Sequence, residues 1–510
     1  MARRVRPFRG GETGKDGWIT EVSGVDKLIW GGTLVTPGGL VKENLYIRGE
    51  KIAALGEEAD RLAAAGGVSL ENGRPAATGP AAIKAGGGCR VEIVGASGCL
   101  VFPGFIDTHT HFQLDNGAVV SPDDFGTGTR AAILGGTTTI LDFATQNRGE
   151  TLARGLANWH AMADGKASCD YGFHMAISQW DESSAREIRE MADAGVTSFK
   201  VYMAYDNLRV SDAQIFEILE KIAEVGGILG CHCENGDLAR ELVRRTLARG
   251  ITGPEGHPLS RPAEVEAEAV NRYLTIAKMA GCPVNIVHTS TRRALEVIAR
   301  AREEGQELYV ETCPQYLLLT DDRYRLPDFA GAKFVMSPPL RGEEDCQALW
   351  QAVSEGVVDT IGTDHCAFSL RQKALGRRDF SRIPNGIPGA EHRPELIYSY
   401  GVMNGRISAG QMARLLAENP AKLFGLYPRK GVLAPGSDAD IVIWNTKARK
   451  IISAENQHHN VDNTPYEGLA VNGGPRQVYL RGRLAVDRGL LAEAGRGQYL
   501  FRGPSERFRQ

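Results

Sequence analysis

From Pro103 onward the chain repeats one rhythm eight times, a short apolar, β-branched run followed by a longer stretch with helical spacing. The runs cover 104–112, 137–143, 171–178, 198–203, 228–234, 284–290, 308–314 and 360–365, and amphipathic stretches such as 211–225 and 263–280 lie between them. Strand and helix in regular alternation mean parallel βα units, and eight such units close on themselves. The expected fold is therefore α/β, a (β/α)8 TIM barrel over 103–425. That span exceeds the usual length of about 250 residues because the loops near 235–262 and 315–358 are long. These extra loops are expected at the catalytic end.

Outside the barrel the rhythm differs. Residues 26–32, 44–55 and 91–102 read as short strands broken by Gly and Pro turns. After about residue 425, GVLAPGSDADIVIWN and RQVYLRGRLAVDRG give strand-turn-strand signals of the same kind. The simplest arrangement pairs the two ends of the chain into one small β-sandwich, made of 25–102 and 426–488. It leaves a C-terminal tail, 489–510, within reach of a neighbouring subunit. Residues 57–88, rich in Ala and Gly and with little period, read as an inserted loop. A length of 510 residues is enough for a barrel plus this accessory domain.

Composition excludes some partners. Acidic residues exceed basic ones by 62 to 59, a formal charge of −3, so no surface for nucleic acid is implied. The basic start, MARRVRPFRGG, is not followed by an apolar run, and no stretch is apolar enough for long enough to cross a bilayer. Nine cysteines include no CxxC pair, and Cys231 and Cys233 flank His232 facing the opposite way. Reduced, buried thiols and a cytoplasmic enzyme are the expectation.

His109 and His111 lie two apart on the first run, so the strand period turns both imidazoles to one face. Such a pair alone is weak evidence. Later runs strengthen it: Lys200 closes the fourth, His232 the fifth, His288 the sixth and Asp364 the eighth. Those are the places where a TIM barrel presents catalytic groups, and imidazole and carboxylate ligands suit Zn²⁺. An isolated lysine would turn out to solvent. Among cations, however, the ammonium of Lys200 is disfavoured and its pKa must fall. A neutral amine adds CO₂ to give an anionic, bidentate carbamate, able to bridge two metals about 3.5–4 Å apart. Asp364 fits a dual role: it would ligate one metal and hold the bridging hydroxide, then pass the proton to a leaving nitrogen.

These residues in this order resemble the amidohydrolase superfamily, and the match is close to its hydantoinase and dihydropyrimidinase branch. The resemblance runs from about residue 26 to about residue 500. Its markers are FPGFIDTHTHF (102–112), SFKVYMAY (198–205), HCENG (232–236), ETCPQY (311–316), VMSPPLR (335–341), IGTDHCAF (361–368), IPNGIPGAE (383–391) and NVDNTPYEG (460–468). The resemblance implies His109, His111 and Asp364 on one metal, His232 and His288 on the second, and carboxylated Lys200 as the bridge. It also implies that Tyr205 donates to the substrate carbonyl oxygen, while Ser337 and Asn385 hold the ring's N–H and C=O edge. The implied reaction is attack of a metal-bridging hydroxide on 5-substituted hydantoins or dihydropyrimidines, giving N-carbamoyl amino acids. A homo-oligomer, tetramer or dimer, accompanies it.

Three features depart from that pattern: the leader before Val25, the 57–88 insertion, and the loop after Tyr205, which carries Arg209. Arg209 is either a solvated surface residue or a group favouring polar or acidic substituents, the surface residue being the simpler reading. Among rivals, dihydroorotase places an Arg after the HxH pair, where this chain has Phe112-Gln113-Leu114. Allantoinase shares the metal set and stays open. A non-catalytic scaffold of the same fold would have lost ligands, and all six positions are intact here. GTGTRAA at 126–132 gives a weak phosphate-binding signal that follows a loop rather than ending a strand.

Overall fold

Eight strands form one parallel sheet whose order in space is their order in the chain. They are β1 (Phe105–Thr110), β2 (Thr137–Thr145), β3 (Asp170–Ala176), β4 (Ser198–Tyr202), β5 (Ile228–His232), β6 (Val284–Ile286), β7 (Leu308–Thr312) and β8 (Thr360–Ile361). This computed structural model describes residues 25–68, 70–71, 74–75 and 91–508. The strands are buried almost end to end, as a parallel sheet covered on both faces requires. The ring shuts where Thr110 bridges His365 in parallel, with the His111 N–H donating to the His365 carbonyl at 2.8 Å.

Sequence-local chemistry sets where the helices start. Asn235 and Thr291 each stand three residues after a candidate ligand, His232 and His288. Each caps the next helix, Gly236–Ala248 and Arg292–Glu303, by accepting a backbone N–H. Ser211 and Gln214 form a capping box at the head of Asp212–Glu224. The strand ends and their histidines are thus anchored from both sides.

Strands β6 and β8 are shorter than the sequence runs suggest. His288 and Asp364 stand on loops beyond them, with φ of 39° and 53°, a left-handed conformation that cannot continue a ladder. A second correction concerns 57–88. Gly56–Ala65 is a helix, with Ala59 and Ala63 on one face packed against Leu28, Tyr46 and Ile93. The Ala-rich run hides its i, i+4 spacing because only two small residues carry it. Leu70–Glu71 pairs with Arg74–Pro75 beyond it. The rest of the insertion, Cys89 and the leader before Val25 lie outside the described residues.

Two further sheets face each other across a shared core that includes Ile29, Leu34, Ile47, Val94, Ile441, Ile443 and Tyr479. One contains 26–30, 45–48, 51–55 and 91–95; the other joins 33–36, 39–41 and 99–103 to 441–451, 470–480, 483–487 and 490–491. The two ends of the chain meet where Ile441–Asn445 pairs antiparallel with Cys99–Pro103. This sandwich is bolted to the barrel's N-terminal face. Lys430 donates to Asp170 of β3 at 2.7 Å and to Asp440 at 2.6 Å, and Arg481 also grips Asp170. The tail follows the same face: Tyr171 donates to Gln498 and accepts from Leu500, and buried Arg502 donates to Ser198 Oγ at 2.8 Å and to the Phe173 carbonyl. The eight described cysteines are free and buried, and no described helix is long and apolar enough to cross a membrane.

Candidate active site

At the C-terminal mouth of the barrel, ligand atoms of His109, His111 and Asp364 lie within 4.8 Å of one another. His109 Nε2 is 3.2 Å and His111 Nε2 3.3 Å from the same Asp364 oxygen. His288 stands beside them, its ring centre 5.4 Å from that of His109, and its Nε2 faces His232 Nδ1 at 3.0 Å. Lys200 is buried on β4, with its Nζ 4.9 Å from the centre of the Phe143 ring. Phe143, which the sequence reading did not single out, also packs on His109 at 4.5 Å and His111 at 4.8 Å. Burial lowers the Lys200 pKa against the pull of Asp364 and Glu311. Burial lowers His109 and His288 too, and the charge of Lys200 adds to both effects, so Lys200 sits in electrostatic reach of each histidine. Burial opposes ionisation of Asp364, yet His109, His111 and His288 hold its carboxyl well below the usual range.

Two carboxylates not foreseen from sequence orient these rings. Glu311 Oε1 meets His109 Nδ1 at 2.6 Å, and Glu234 Oε2 meets His232 Nε2 at 2.7 Å. Arg261 balances Glu234 at 3.3 Å, and against the effect of burial it and His232 hold that carboxyl at about 2. A carboxylate on one ring nitrogen fixes the N–H there and turns the other nitrogen's lone pair inward. Among the described residues, His109 Nε2 then lies buried with no hydrogen-bond partner, and His232 and His288 present nitrogens to each other. Inward lone pairs, an ionised carboxylate and a lysine biased toward the neutral amine form a donor set that suits divalent cations. Both outer carboxylates lie in motifs quoted above, HCENG and ETCPQY. The strand period was the available signal for Glu234, two residues from His232.

The other candidates form one polar edge. Asn385 Nδ2 donates to Ser337 Oγ at 3.0 Å, and both side chains lie near enough to the Tyr205 hydroxyl to pull its pKa down against burial. The Tyr205 ring lies 5.2 Å from that of His232, under the Arg261 guanidinium at 5.9 Å. Burial raises its pKa, so the hydroxyl stays a neutral donor. Tyr205, His288 and Asp364 share positive φ values of 66°, 39° and 53°. Strain of this kind collects where the surroundings fix a side chain for a task.

Other features do not join the site. Arg209 is held by Asp237 at 2.8 Å and Asp206 at 3.2 Å, on the surface. GTGTRAA is the first part of helix Phe125–Leu134, capped by the Asp124 carboxylate, and Gly128 is small because the Phe112 ring presses on it. Glu391, His392 and His459 also bring donors within 4.8 Å. The Glu391 carboxylate there is already engaged by the His458 N–H at 2.6 Å and imidazole at 3.0 Å.

A profile of the amidohydrolase family matches residues 100–485. The chain is 41% identical to a D-hydantoinase of Geobacillus stearothermophilus over 480 residues, 93% of this chain and 96% of that protein. It is 40% identical to a dihydropyrimidinase of Rattus norvegicus over 92% of this chain and 90% of that one. The crystal structure of a dihydropyrimidinase from Brevibacillus agri NCHU1002 superposes with a TM-score of 0.87 at 40% identity, covering 95% of this chain and all of that one (100%). The chain therefore belongs to the amidohydrolase family, in its hydantoinase and dihydropyrimidinase branch.

Proposed function

We propose that this chain is a cyclic amidase that opens 5-substituted hydantoins or dihydropyrimidines to N-carbamoyl amino acids. The observation that carries the reading is the convergence of His109, His111, His232, His288, Lys200 and Asp364 beside the Tyr205–Ser337–Asn385 edge. His109, His111 and Asp364 would hold one divalent ion and His232 and His288 a second, with N6-carboxylated Lys200 between them; zinc suits the set. Bound there, such ions lower the pKa of water and polarise the amide carbonyl.

The chain's own groups do the rest. Ser337 and Asn385 orient the ring through its N–H and C=O edge, which fixes the scissile carbonyl in place. Tyr205 donates to the carbonyl oxygen as negative charge develops there, a contact of about 2.7–4 kcal/mol in comparable sites. Asp364, ionised among imidazoles, accepts a proton on its carboxylate and delivers it to the departing ring nitrogen. The reading extends to a cytoplasmic homo-oligomer, tetramer or dimer, with domain limits at 25–102 plus 426–488 and 103–425.

The test is a side-by-side assay of dihydrouracil, hydantoin, phenylhydantoin, allantoin and dihydroorotate on zinc-loaded protein. Opening of the first three is expected. Turnover of allantoin alone or dihydroorotate alone replaces the reading with the corresponding rival. Failure to retain metal together with no turnover points to a scaffold. Replacing Lys200 with Ala should abolish activity, with partial return on adding short carboxylic acids; full activity without added acid would refute the bridge.

A further inference from the structure

We infer that Lys373 is a positioning residue, tying together the two segments that present Ser337 and Asn385 to the substrate ring. The inference rests on the ring-opening reading of this site. Lys373 ends the short helix Leu370–Lys373, which Ser369 caps in the loop following Asp364. Its side chain is 1% exposed, and its ammonium donates to three carbonyls: Val335 at 2.7 Å, Pro384 at 2.6 Å and Gly386 at 2.7 Å. Pro384 and Gly386 flank Asn385 directly, and Val335 stands two residues before Ser337. The segments also touch each other, with the Gly386 N–H donating to the Val335 carbonyl at 3.0 Å.

The chemistry favours position over stability. An ammonium has three N–H groups in tetrahedral array, so three carbonyl acceptors fix one point in space. Among the described residues no carboxylate pairs with this charge; the Phe368 ring lies 5.7 Å away, and Cys366 and His257 are within its electrostatic reach. A buried cation without a counter-charge is expensive, and burial accordingly brings the Lys373 pKa down to about 7. An apolar side chain of the same length would avoid that penalty but would leave the two segments to the Gly386–Val335 backbone bond and the Asn385–Ser337 side-chain bond, without the three-way tie. The loop that carries Asp364 thereby also sets the polar edge.

The experiment compares Lys373→Met, Lys373→Gln, Asn385→Ala and the Lys373→Met/Asn385→Ala pair as zinc-loaded full-length protein, with hydantoin and dihydrouracil as substrates. Metal content and thermal midpoint are recorded for each. Lys373→Met is expected to keep its metal and to raise KM roughly tenfold, the size of one or two misplaced hydrogen bonds to the ring, with kcat changed much less. Lys373→Gln, which keeps two N–H donors, should fall between it and the unsubstituted enzyme. Because Lys373 acts through Asn385 and Ser337, the double variant should lose little beyond Asn385→Ala alone. An unchanged KM, a loss confined to kcat, or fully additive losses would overturn the role. So would failure of both Lys373 variants to fold, which would make the lysine a determinant of the fold. If the unsubstituted enzyme opens no ring, the functional reading itself falls, and that is seen before any variant is compared.

Discussion

His109 turns Nδ1 outward to Glu311 at 2.6 Å and Nε2 inward to Asp364 at 3.2 Å. The outward contact decides what the inward nitrogen can do. Glu311→Gln keeps the shape but removes the charge that fixes the tautomer. It should weaken metal retention by roughly 10–100-fold, read as zinc left after dialysis against a graded chelator, with activity returning at saturating metal. Retention equal to the unsubstituted protein would show that Glu311 does not orient the ring. The HxH pair was legible because a strand period places both rings together. Glu311 was not, since its partner lies 202 residues away, across a closed ring. Arg209 shows the same limit from the other side. From sequence it was a possible selector of acidic substituents, but Asp206 and Asp237 already neutralise it. Arg209→Leu is therefore expected to leave the preference among acidic, neutral and aromatic hydantoins unchanged; a shift toward neutral ones would restore the selector.

At the scale of elements, the eight barrel strands were readable because burial on both faces leaves an unbroken apolar run. Their ends were not, because His288 and Asp364 leave the ladder through left-handed backbone, which His and Asp adopt more readily than most residues but still too rarely to be read from residue type alone. The helix Gly56–Ala65 was missed for the opposite reason, as alanines give too little hydrophobic contrast to mark a face. Glycines in GTGTRAA look like a phosphate loop in one dimension and like helix packing in three. A Cβ on Gly128 would run into the Phe112 ring. Gly128→Ala should lower stability by about 1–3 kcal/mol through overpacking, measured by denaturant unfolding. Inorganic phosphate should leave the thermal midpoint where it was, and a clear upward shift would revive the phosphate reading.

Across the whole molecule, the sandwich and barrel share one buried charge cluster: Asp170 from β3, with Lys430, Asp440 and Arg481. Lys430→Met takes the ammonium from buried Asp440 and leaves Asp170 to Arg481, and should cost about 3–5 kcal/mol. Unfolding by urea should show it, and a loss under 1 kcal/mol would mean that the cluster behaves as a surface pair. The pairing of the two chain ends was legible because both showed strand-turn-strand signals, whereas the charge cluster, built from single residues far apart in sequence, was not. A last consequence follows from the seam between Thr110 and His365. His109 and His111 arrive with the first stave of the barrel and Asp364 just past the last, so their three donor atoms meet only when the cylinder shuts. A complete chain whose barrel is still open owns every ligand yet has no place for the ion, which makes loading a readout of completed folding.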